Sequence, residues 1–143
     1  MSLFTVDVLF SDTKVWAIGY LQAALNARAE SYTTSVSVRA TTPAETTDDP
    51  WPTSGRVVTI RDDGGNRVGP VFRNVALGVK VFGPTAQQAA DLSRMVTALL
   101  EASAGSGDVV AHVSTAGPVE VAEESKRSSR YVSVVLQVRG SAL

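Results

Sequence analysis

The 143-residue sequence predicts an α+β fold: a mixed, mainly antiparallel sheet with two helices packed on one face. Two observations carry that expectation. The stretch from Val71 to Ala102 holds a strand with one apolar face (Val75, Leu77, Val79, Val81), a break at Gly83-Pro84, and then a strongly amphipathic helix. On that helix Ala89, Leu92, Met95, Val96, Leu99 and Ala102 recur at three- and four-residue steps, while Gln87, Arg94, Thr97 and Glu101 fall opposite, so one sheet face should meet one helix face. The closing segment Arg130 to Arg139 alternates Val132, Val134, Leu136 and Val138 with Tyr131, Ser133, Gln137 and Arg139. A near-terminal strand this apolar should be paired deep in the sheet, because its exposed edge would be an aggregation hazard.

Taken in order, Leu3 to Phe10 reads as a short strand or as the lead-in to a helix over Thr13 to Ala27, with Ser11 and Asp12 supplying the capping oxygen. That helix has two apolar stripes, Val15, Ile18, Leu21 and Leu25 on one side and Trp16, Tyr20, Ala23 and Ala27 on another. Either it is wedged between sheet and second helix, or the aromatic stripe of Trp16 and Tyr20 meets another subunit. Tyr32 to Arg39 alternates as a half-buried strand. Ala40 to Gly55 contains three prolines and five threonines around one large apolar residue, Trp51, a composition that suits a functional loop. Trp51 is either an anchor for a partner or a plug for the edge of its own core. Arg56 to Arg61 is a strand, Asp62 to Asn66 a hairpin turn, and the return strand ends at Phe82, with Gly78 marking a bulge or a close backbone approach. After the second helix, Gly105 to Gly107 turns the chain into a strand over Asp108 to Ser114. Ala116-Gly117-Pro118 is a further turn before a short strand at Val119 to Ala122, and Glu123 to Ser129 is polar.

Composition narrows the function. The length suits a single domain over residues 1–143, which would bury roughly 68–70% of its unfolded surface. With no cysteine, disulfides, thiolate metal sites and thiol nucleophiles are excluded. A net charge of -1 supplies no long-range field for nucleic acid or anionic membrane. No apolar run approaches the roughly 20 residues of a membrane span, and the N-terminus lacks the pattern of a signal peptide, so a soluble protein is expected.

No catalytic constellation emerges. The single histidine, His112, lies within a predicted strand and is expected to be structural. One histidine with scattered carboxylates falls short of a zinc site, and Asp62-Asp63 suits a turn better than a hard-cation site. Gly64-Gly65 and Gly105-Ser106-Gly107 match neither a phosphate loop nor a dinucleotide fingerprint. Asp48-Asp49 and Glu123-Glu124 read as solvated charge. Lys126, Arg127 and Arg130 sit beside Glu120, Glu123 and Glu124 with no aromatic platform among them, so sequence-specific nucleic-acid binding is not expected. No enzyme, cofactor or metal is expected; a binding or assembly module is.

The succession of a helix with Asp12, Val15, Leu21 and Leu25, a Thr/Pro-rich loop, RVVTIRDDGGNR (Arg56 to Arg67), VALGVKVFG (Val75 to Gly83), AQQAADLSRMVTALL (Ala86 to Leu100), AGPVEV (Ala116 to Val121) and SSRYVSVVLQVRG (Ser128 to Gly140) resembles the tail terminator proteins of long-tailed bacteriophages, particularly those of actinobacteria. The resemblance implies an α/β subunit, made in the host cytoplasm, that assembles as a hexameric ring at the tail-neck junction of the virion. The ring would cap the major tail tube protein, halt polymerisation and present a surface to the head connector. Ring closure needs two different patches on each subunit. Candidate contacts are the Trp16 and Tyr20 stripe, the Trp51 loop and the Glu123 to Arg130 segment with Glu124, Arg127 and Arg130. Asp62 or Glu124 pairing with Arg61 or Arg130 of a neighbour would set register. A head-completion or neck subunit is the alternative within assembly proteins, and a small ligand-binding α+β domain the alternative outside them.

Overall fold

Residues 7–122 and 127–143 are described in the computed structural model; the expectations for Leu3 to Val6 and for Glu124 and its neighbours at 123–126 lie outside the described residues. The elements run β1 (Val8–Leu9), α1 (Thr13–Asn26), a 3-10 turn (Ser31–Thr33), β2 (Ser37–Arg39), β3 (Val57–Arg67), β4 (Phe72–Gly83), α2 (Ala86–Glu101), β5 (Val109–Glu120), β6 (Ser128–Arg139) and β7 (Ser141–Ala142). Five strands form one sheet in the order β2-β3-β4-β6-β5, parallel only between β2 and β3, and β1 pairs β7 separately. The expected α+β class and the mixed, mostly antiparallel sheet are therefore present.

Both helices lie on one face. Val58, Ile60, Val75, Leu77, Val79, Val81, Val132, Val134, Leu136 and Val138 point from the sheet into the same core as Ala17, Leu21, Leu25, Leu92, Val96 and Leu100. The apolar strand β6 is paired along both sides, with β4 and with β5, so its edges are not free. The first helix starts at the expected capping oxygen, Asp12 accepting from the Val15 amide at 3.1 Å, and the second is capped in the same way by Thr85, which accepts from the Gln88 amide at 3.1 Å.

Several boundaries differ from those the sequence suggests. The buried face of α1 follows the i+4 line Thr13, Ala17, Leu21 and Leu25, so Val15 is 61% exposed rather than core. On α2 the buried line is Ala89, Leu92, Ser93, Val96, Thr97 and Leu100; Met95 and Leu99 are half-buried at its margin and Ala102 is exposed. Thr97 tolerates burial because its hydroxyl donates to the Ser93 carbonyl at 2.7 Å. The expected strand over Tyr32 to Arg39 shrinks to Ser37–Arg39, the chain before it forming the 3-10 turn.

Asp62 to Asn66 is not the hairpin turn. The register shifts between Asp62 and Gly65 and pairing resumes as Gly65 opposite Val75, Asn66 opposite Asn74 and Arg67 opposite Arg73, so the turn falls after Arg67. Gly65 is required at this bulge, since a Cβ there would sit 1.7 Å from the Asn74 carbonyl oxygen. Likewise Ala116-Gly117-Pro118 does not end a strand: β5 runs through it as one of three register shifts, with the Gly117-Pro118 bond cis.

The packing distinguishes neighbours on α2. Leu100→Ala should cost on the order of 2–5 kcal/mol in urea denaturation, whereas Leu99→Ala, at the half-buried margin, should cost clearly less. Equal costs would mean that the helix is rotated from the position described.

Candidate functional site

With both helices on one side, the opposite face of the sheet is left to its own side chains and to the 40–55 loop. At one end of that face Val57 and Phe82 are cross-strand partners, both fully buried although neither belongs to the helix-side core. Trp51 supplies the cover. Its ring and that of Phe82 meet in a T-shaped arrangement at 5.1 Å between centroids, and the Arg127 guanidinium lies over the Trp51 ring, 3.9 Å from the centroid. Arg127 is also ion-paired with Glu45, which holds the positive φ of 60° that non-glycine residues seldom adopt. Asp49 organises the same loop by accepting from the Ala44 amide at 2.9 Å and from Arg39 at 2.8 Å, and these two contacts, the amide first, hold its carboxyl below the usual carboxylate range. Trp51 thus packs against its own chain, on Phe82, while staying half-buried.

The middle of the open face carries a charged cluster. Arg61, Asp63 and Tyr131 converge over Gly78, which is their shared floor: a Cβ at Gly78 would lie 2.6 Å from both the Asp63 carboxylate and the Tyr131 hydroxyl. The close approach expected at Gly78 is thus made by side chains, with no bulge in its own strand. Arg61 donates to Asp63 through Nε and to the Tyr131 hydroxyl at 3.3 Å, and that hydroxyl lies 3.2 Å from Asp63 Oδ2. Arg61 holds Asp63 below the ordinary carboxylate range, while burial, followed by the Asp63 charge, pushes the Tyr131 phenol up. Thr41, Thr42, Thr59 and Lys80 join Arg61 and Tyr131 around a hollow of about 410 Å³.

The other candidates are dispersed. Trp16 and Tyr20 stack at 5.0 Å, and the Tyr20 hydroxyl donates to the Leu99 carbonyl at 2.8 Å, tying the stripe to α2 within the same chain. Asp62 points away from Arg61 and accepts from the Gly64 amide at 2.7 Å. Arg130 lies on the helix side of β6, opposite Val81 and Glu120. Trp16 borders a second hollow of about 340 Å³, where Ser11, Asp12 and Val15 at the start of α1 face Asp108 and Val109 at the start of β5. His112 Nε2 is 2.7 Å from the Thr115 hydroxyl, which donates to Glu101 at 2.9 Å, an arrangement that ties β5 to the end of α2. Among the described residues no three His, Asp or Glu side chains gather as a metal site, and no helix is long and apolar enough to cross a membrane.

The geometry invites comparison with known architectures. No protein-family model matches the chain, and no curated protein matches it either. A solved structure shares its fold. It is a chain from the virion of a native gene transfer agent particle, superposing with a TM-score of 0.53 over 87% of this chain and 96% of that one, at 19% sequence identity. At that identity the likeness is one of fold.

Two measurements check the site. Asp63, its pKa depressed in the fold, adds stability that is present above its unfolded value near 4 and is lost as pH falls through the lower folded value. For a pair this exposed the gap between wild type and Asp63→Asn should be about 0–1 kcal/mol at pH 7 and should close below about pH 4 in denaturation series. Trp51→Ala should cost on the order of 2 kcal/mol, less than the roughly 3–5 kcal/mol of a fully buried Trp, because it uncovers Phe82.

Proposed function

We propose that the chain is a structural subunit of a phage-like virion and not an enzyme. The single observation that carries this reading is the fold shared with a virion chain along almost the whole length of both. The distribution of surface chemistry agrees with it: the polar side chains are spread over a sheet face, two hollows and a bulged edge, as suits contact with large partners, instead of converging on one deep pocket.

Within that class we favour a tail terminator. The sequence resemblance supports it, and so does the physics of a cap. A subunit that stops a growing tube matches the tube on one side and denies that match on the other, which takes recognition surfaces and no bond making. In this reading copies close into a ring, hexameric by the resemblance, on the last ring of the major tail tube protein, and the exposed side receives the head connector. No cofactor or metal takes part.

Electron microscopy of particles from the parent phage lacking this gene tests the assignment. Overlong, headless tubes are expected. Filled heads beside tails of normal length would move the chain to the neck as a joining subunit, and normal infectious particles would overturn the assembly reading altogether.

A further inference from the structure

We infer that Asp63-Gly64 is a site of spontaneous backbone isomerisation that the bonds of Asp63 to Arg61 and Tyr131 hold shut. Of the aspartates and asparagines in the sequence, only Asp63 is followed by glycine. The reaction needs nothing but the chain and water. The Gly64 amide nitrogen attacks the side-chain carboxyl carbon of Asp63, its proton leaves with the carboxyl hydroxyl as water, and a cyclic succinimide closes. Water then opens the ring at either carbonyl. Opening at the side-chain carbonyl restores aspartate, whereas opening at the main-chain carbonyl leaves isoaspartate, whose backbone runs through the former side chain and is longer by a methylene. A glycine nitrogen is the most accessible nucleophile for the first step, because no Cβ shields it. Asp62, followed by Asp63, lacks that access.

The backbone at this place is not pinned by the sheet. The register of β3 against β4 passes from Asp62 opposite Leu77 to Gly65 opposite Val75, so neither Asp63 nor Gly64 has a register partner. A Cβ at Gly64 would meet no atom within 4 Å, so that side of the peptide is open. The same residue holds a φ of 85°, in the left-handed region that favours glycine. The bulge therefore calls for the very residue that makes the dipeptide reactive.

Restraint comes from side chains instead. Asp63 Oδ1 accepts from Arg61 Nε, and Oδ2 accepts from Arg61 Nη2 at 3.3 Å and from the Tyr131 hydroxyl at 3.2 Å. Ring closure requires the carboxyl to swing out of this cradle toward the Gly64 nitrogen, which breaks all of these bonds. The Gly64 amide is held as well, donating to Asp62 Oδ1 at 2.7 Å. Ionisation acts in the same direction. The protonated acid is the reactive electrophile, because a carboxylate has no hydroxyl to lose as water, and Arg61 holds Asp63 below the usual carboxylate range. Isomerisation would be felt at once by the next residue. Gly65 lies so close to β4 that a Cβ there would sit 1.7 Å from the Asn74 carbonyl oxygen, and a longer backbone just before it displaces its pairing with Val75.

Incubation of the full chain at about pH 6, where a small share of an ordinary aspartate is protonated, followed by chromatographic peptide mapping, measures the rate. The isoaspartyl peptide elutes separately at unchanged mass, and the succinimide is lighter by one water. Native wild type should react about tenfold or more slowly than the same chain unfolded in guanidinium chloride. Arg61→Ala and Tyr131→Phe should each react faster than native wild type, Arg61→Ala by about three- to fivefold, the range an exposed ion pair can supply. Leu100→Ala weakens the core and leaves the cluster untouched, so it should keep the wild-type rate. Thermal unfolding checks that each variant is folded at the incubation temperature. Native wild type reacting as fast as the unfolded chain would overturn the inference, and so would failure of both cluster variants to accelerate the reaction. Leu100→Ala accelerated as much as Arg61→Ala would assign the protection to folding at large and overturn the role of the cluster.

Discussion

The burial of β4 and β6 under α1 and α2 is the constraint on which the rest of this structure depends. Alternation places Val75, Leu77, Val79 and Val81 on one side of β4, and Val132, Val134 and Leu136 opposite their partners on the same side of β6. Once two helices cover that face, the described residues supply no third layer of regular structure for the other. The open face must then be either polar or plugged. It is both, in different places: Arg61, Asp63 and Tyr131 satisfy one another over the glycine floor, and Trp51 packs on Phe82 at the other place.

The same constraint explains why the loop from 40 to 55 is ordered without being regular. It has few apolar residues, yet Pro43 is buried and Trp51 packs against the Phe82 ring and the Arg127 guanidinium. Asp49 replaces missing backbone ladders with two local bonds, accepting from an amide of its own loop and from Arg39 of β2. The backbone strain at Glu45 is tolerated in a loop pinned at both of these points.

What could be read from the sequence was whatever depends on local spacing. The cap at Asp12, the alternation of β4 and β6 and the existence of α2 follow from period and side-chain chemistry, and all are present. The readings that shifted depend on partners far along the chain. Leu99 and Leu100 both fit the margin of a helical stripe, and only the position of β6 selects Leu100 for the core. Asp62 to Asn66 has the residues of a turn, and the same glycines serve a bulge because Gly65 continues to pair with Val75. Gly78 did signal a close approach. That Asp63 and Tyr131 make it depends on the bulge and on the β4–β6 register, neither of which a local window contains, so these two members of the cluster had no distinguishing mark in the sequence.

The irregularity of β5 has a further consequence for the margins of the sheet. A straight partner strand presents amides and carbonyls at a fixed repeat, whereas β5 changes its register against β6 three times within Val109–Glu120. Its outward hydrogen-bonding groups are therefore out of step with any regular edge laid beside them, and another sheet cannot use the strand as a template along its length. At the other margin β2 offers only Ser37–Arg39. Beyond Thr59 the outer edge of β3 is broken by the register shift between Asp62 and Gly65, so neither margin offers a long regular edge to another sheet. Any contact made along these margins would therefore depend on side chains rather than on backbone pairing.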